Sequence, residues 1–148
     1  MLKYIFITNE SQFVYNANQI NYLFKTSFCS LFSGLYAFYN NKYEFSFTPI
    51  LIWLTSINYW RNPTPGWRRN VDIIVSTSVI ANQYFKAYKY QYAYIYYPLM
   101  TLSISCYPIS NYYYYNNNIW NSVYFHSFMH IFANLSNIIL SSGNRITE

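Results

Sequence analysis

Read for alternation of apolar and polar positions, the chain divides into charge-poor stretches of about twenty residues separated by short charged or turn-forming segments. Twenty residues of helix are about 30 Å long, the thickness of a bilayer's hydrocarbon core. Five such stretches predict five helices, over about 20–39, 43–60, 69–87, 90–109 and 119–140. Lys42 and Glu44 mark the first break, and 62–67, with two prolines and a glycine, specifies a tight turn at the second. Lys86 and Lys89 mark the third, and the run 111–118 (Asn, four Tyr, three Asn) the fourth. That run hydrogen-bonds too readily to cross a membrane alone, and Ser141, Ser142 and Gly143 stop the last helix. The pattern predicts an all-α, polytopic transmembrane bundle of about five helices. A four-helix form, with the first helix on the surface, is the alternative.

Composition strengthens the membrane reading. Only 9% of the 148 residues are charged, against about a quarter in soluble domains, and between Tyr90 and Asn144 the only ionisable residues other than tyrosine and cysteine are His126 and His130. Mean hydropathy is −0.01, a value depressed by 20 tyrosines, which suit the membrane interface with the ring buried and the hydroxyl wet. The excess of Tyr, Asn, Phe and Ile is what AT-rich coding DNA imposes, as in organelles and large DNA viruses, and says nothing of mechanism. The length accommodates one domain, 1–148, with 1–19 expected outside the bilayer core. The apolar run after Lys3 stops at Asn9 and Glu10, too short for a secretory signal. Cys29 and Cys106 fall within predicted helices and read as buried thiols.

The net charge of +5 is concentrated in Arg61, Arg68 and Arg69, balanced by Lys42, Lys86, Lys89 and Arg145 on the opposite face. The denser arginine cluster places that loop and the N-terminus on the cytosolic side. Its simplest role is a topology and headgroup anchor, with a grip on lipid phosphate as the alternative; no nucleic-acid partner is expected. The sequons at Asn9 and Asn134 are expected to be chance matches, one facing the cytosol and one within a helix.

Ionisable groups within a span are costly and therefore candidates for function. His126 and His130 are four apart, on one helix face one turn from each other. Two imidazoles so placed suit one metal ion, or equally a structural role as neutral hydrogen-bonding groups. Up-and-down topology brings them to the depth of Asp72 and of the segment 55–60. Asp72 reads either as part of this site or as a helix N-terminal carboxylate near Arg68 and Arg69. A Zn²⁺ on His126, His130 and Asp72, with Ser56 nearby, lowers the pKa of bound water and makes a hydrolytic site.

This order of residues resembles the CREST superfamily of membrane hydrolases, which includes alkaline ceramidases and adiponectin-receptor-like proteins. Ser56 matches the family serine, Asp72 its aspartate, and His126 and His130 its closing His-x-x-x-His. The chain departs from the pattern at Trp60, where the family has a third zinc-binding histidine, and in having about five helices rather than seven. The resemblance implies a zinc-dependent hydrolase of lipid amides or esters, with Ser56 and Asp72 catalytic. The rival expectation is a non-catalytic subunit or assembly factor of a membrane complex, its aromatic faces covered by neighbouring subunits.

Overall fold

The structure, a computed structural model, describes residues 15–146. The expected absence of a signal, the Asn9 sequon and most of the segment 1–19 lie outside the described residues. The remainder is an all-helical bundle: α1 (Ala17–Tyr39), α2 (Tyr43–Trp60), α3 (Trp67–Lys86), a 3-10 turn (Ala87–Lys89), α4 (Ala93–Tyr115) and α5 (Ile119–Ser142). Five helices form, and α1 packs along both α2 and α5, so it belongs to the bundle. Among the described residues no helix is long and apolar enough to cross a membrane by mean hydropathy.

The helices start and stop for local reasons. Asn16 and Gln19 close a capping box at the start of α1, each side chain bonding the other's backbone N–H. Gly66, at φ 148°, turns the chain into α3. The helix expected to end near Ile109 continues to Tyr115, because its tyrosines find aromatic partners: Tyr113 stacks on Phe125 at 5.3 Å and Tyr114 meets Tyr15 at 5.7 Å. The break comes at Asn117, whose positive φ of 57° an asparagine tolerates.

Successive helices run up and down. Tyr15 touches Trp60, Tyr114 and Ser122, which gathers the start of α1, the end of α2, the end of α4 and the start of α5 at one end of the bundle. At the other end, the Tyr90 hydroxyl donates to Glu44, and Lys42 lies 5.6 Å over the Tyr90 ring. The C-terminal tail joins them through Gln91 N–H to Asn144 O, 3.0 Å, and Ile146 N–H to Lys89 O, 2.8 Å. An apolar cluster of Phe45, Tyr96, Met100 and Leu140 fills this end, while Leu23, Tyr59, Trp60 and Val123 fill the first.

Between the two clusters the interior is built from small and polar side chains. Ser27, Ser30, Ser33, Ser103, Ser127, Asn134 and Asn137 are buried, and the described residues bury more polar side chains than apolar ones. Gly34 lets α1 and α2 approach closely: a Cβ there would lie 2.6 Å from Ile50 and 3.1 Å from the Ser46 carbonyl oxygen. Meanwhile Phe32, Ile74, Leu102, Ile104, Phe128 and Leu135 are exposed in the central parts of their helices. The exposed Trp and Tyr side chains all lie within about a turn and a half of a helix end.

Candidate functional site

α3 packs chiefly on α2 and makes little contact with α4 or α5. The gap is a cavity of about 760 Å³, lined mainly by α2, α3, α4 and α5, with Ser30 of α1. Ser56, Asp72, His126 and His130 all line it, as do Trp60, Tyr107 and Arg69. The topology thus brings the four candidate residues to one chamber. Its walls are mainly apolar, with Ile52, Ile73, Ile80, Met129 and Ala133 among them.

Ser56 and Asp72 are directly joined. The Ser56 hydroxyl donates to Asp72 Oδ1 at 2.9 Å, and the Thr55 hydroxyl donates to the same oxygen at 2.7 Å. Two consecutive residues at the end of α2 therefore hold one carboxyl oxygen near the start of α3. Thr55 was not foreseen as a partner. A second hydroxyl beside Ser56 was the available signal.

His126 and His130 are adjacent, ring centroids 5.1 Å apart. His126 is also 5.2 Å from Trp60 and 6.4 Å from Tyr107. His130 is buried and its Nε2 has no hydrogen-bond partner. One turn further along α5, Asn134 donates to the His130 carbonyl oxygen at 2.7 Å and to Ser30 at 3.0 Å, and accepts from Ser33 at 2.6 Å. Asn137 accepts from Gln83 of α3 at 2.8 Å. The spacing of the histidines continues through Asn134 and Asn137 as one polar stripe, a signal present in the sequence that the two histidines overshadowed.

The expected zinc set does not form. Among the described residues no three His, Cys, Asp or Glu side chains gather closely enough to hold a metal ion. Asp72 Oδ1 accepts from both Thr55 and Ser56, and the Trp60 indole packs against His126. A structural zinc site takes four protein ligands and a catalytic one three, more than the two histidines supply by themselves. No known family model, curated protein or solved structure matches the chain.

Proposed function

We propose that this chain is a small multi-pass membrane protein that holds a lipid in the cavity between α3 and α4–α5, the polar part of the lipid lying towards Ser56, Asp72, His126 and His130. The observation that carries the reading is the inverted distribution of side chains: serine and asparagine inside, Phe, Leu and Ile outside around the middle, Trp and Tyr outside near the ends. Helices in lipid pack through small residues and interhelical hydrogen bonds, with aromatic belts at both interfaces. The low mean hydropathy has the same origin, because the interior polar groups and tyrosines count against it.

The cavity supports the lipid. Apolar walls with a few convergent polar groups are the usual form of a small-molecule site, and its volume lies in the range of about 300–1,000 Å³ for such sites. The layout of Ser56, Asp72 and the histidine pair is similar to that of CREST hydrolases, and that similarity is the sole support for cleavage of a lipid amide or ester. A second reading, a non-catalytic subunit of a membrane complex, is favoured by one observation: Trp60 occupies the missing histidine's position and packs on His126.

The test is to wash membranes containing the protein at alkaline pH and extract lipid from the purified chain. Retention in the membrane, with bound lipid released on organic extraction, is the expected result. A lipid-free protein released into the aqueous fraction overturns the proposal.

A further inference from the structure

Resting on the lipid-binding reading, we infer that the cavity opens sideways, through a slot between α3 and α4, and takes its lipid directly from the bilayer rather than from water. Residues that line a cavity and are also exposed mark its mouth. Among the described lining residues, those that are exposed lie on α3 and α4 alone, with Thr77, Ala81 and Phe85 on one helix and Ile104, Ser105 and Pro108 on the other among them. Thr77, Ala81 and Phe85 follow one another at one-turn spacing, as do Ile104 and Pro108, so each set forms an edge along its helix. Thr77 and Ile104 stand at the midpoints of α3 and α4. The mouth therefore reaches the depth at which Leu102, Phe128 and Leu135 are exposed.

The ends of the cavity are closed by comparison. At the end bearing the α2–α3 loop, the lining rings of Tyr15, Tyr59, Trp60 and Tyr114 pack on one another, with Tyr59 at 4.6 Å from Trp60, and Tyr15 at 5.7 Å from both Trp60 and Tyr114. None of these four is exposed. At the other end the Gln83 amide donates to Asn137 at 2.8 Å and Tyr84 meets Tyr97 at 4.8 Å. Gln83 is the one buried residue of α3, so this helix is drawn onto α4 and α5 near its C-terminal end and stands off from them towards its midpoint.

The chemistry of the edges suits hydrocarbon. None of the exposed lining residues is charged, and a charge at that depth would be costly. The Ser105 hydroxyl donates to the Thr101 carbonyl oxygen at 2.9 Å, so it is satisfied within its own helix. Ala81 and Ser105 are small and leave the slot open. A lipid sliding in sideways meets apolar or satisfied groups first, and Asp72, Ser56 and the histidines only inside.

The experiment reconstitutes the full chain, in a Cys29→Ser, Cys106→Ser background, in phosphatidylcholine vesicles and follows the modification rate of a single thiol. Ala133→Cys places it on the cavity wall, and Phe128→Cys on the outer face of the same helix. One reagent is a phosphatidylcholine with a maleimide on its acyl chain; the other is a water-soluble, impermeant maleimide on both sides of the vesicles. The lipid-borne reagent is expected to modify both positions and the water-soluble one neither. Adding Ala81→Trp or Ser105→Trp, on opposite edges of the slot, is expected to slow the lipid-borne reaction at Ala133→Cys about tenfold, equivalent to about 1.4 kcal/mol on a barrier. The exposed control Leu102→Trp leaves that rate unchanged, and Phe128→Cys reacts alike in every variant. Two edge variants keep the test decisive should one misfold. Modification of Ala133→Cys by the water-soluble reagent in intact vesicles, or a lipid-borne reaction indifferent to both edge variants, overturns the sideways route and leaves lipid binding standing. A lipid-borne reagent that reaches Phe128→Cys and never Ala133→Cys overturns the lipid-binding reading itself.

Discussion

Trp60 stands edge-on to His126, with ring centroids 5.2 Å apart and an interplanar angle of 79°. It follows Ser56 by four residues, one helical turn, on the helix that delivers Ser56 to Asp72. The indole brings a large apolar surface and a donor-only N–H, where an imidazole would bring a metal-binding nitrogen. Supplying that nitrogen is therefore a direct probe of the site. Trp60→His is expected to hold about one Zn²⁺ per chain by atomic emission, with none bound stoichiometrically by the wild type. Zinc on the wild type, lost when His126 and His130 become alanine, contradicts the account of the ligand set.

Asp72 binds α3 to α2 through one carboxylate oxygen. Asp72→Ala removes the acceptor of two hydroxyls and is expected to cost about 1–3 kcal/mol, read as earlier thermal unfolding in detergent and faster hydrogen exchange in α3. Asp72→Asn keeps an acceptor and is expected to lose less. Equal losses in the two variants would show that charge, rather than the hydrogen bonds, carries the effect.

Gly34→Ala drives a methyl into Ile50 and the Ser46 carbonyl. Backbone lies on one side, so the strain is relieved only by parting α1 from α2. A loss of about 1–3 kcal/mol is expected from overpacking of this kind. An unchanged unfolding temperature would mean that the two helices are not in close contact.

Much of this arrangement was legible beforehand. The span 43–60 coincides with α2 because charge marks one end and a proline-glycine turn the other. Ser56, Asp72, His126 and His130 share a cavity because alternating helix direction alone fixes their depth. α4 overran its expected end because tyrosines that look like a polar cap pack as aromatics when Phe125 and Tyr15 face them. The separation of Asp72 from the histidines as metal ligands was hidden, since sequence spacing says which end a residue occupies but not which neighbour its carboxylate selects. Thr55 and Ser56 hold it together.

Tyr90 provides a test at the opposite end. Burial, followed by its hydrogen bond to Glu44, pushes its phenol up from 10.0 to about 12. A raised value favours the protonated form in the folded chain. Its contribution to stability is thus fully present below about pH 10 and lost as pH rises through about 12. Stability to heat followed across that window is expected to fall for the wild type and to fall less steeply for Tyr90→Phe. The same alkaline slope in both would remove Tyr90 as its source.

If the apolar residues around the middle of the bundle face lipid, as proposed, cysteines placed at different depths react differently. In a Cys29→Ser, Cys106→Ser background, single cysteines replace Leu102, Phe128 or Leu135 in the middle, and Tyr39 or Trp120 at the ends. Each is exposed in the structure. A membrane-impermeant maleimide applied to both sides of the vesicles is expected to label the end positions and leave the middle unreacted until detergent is added. Labelling of the middle positions in intact vesicles as fast as at the ends would contradict the account.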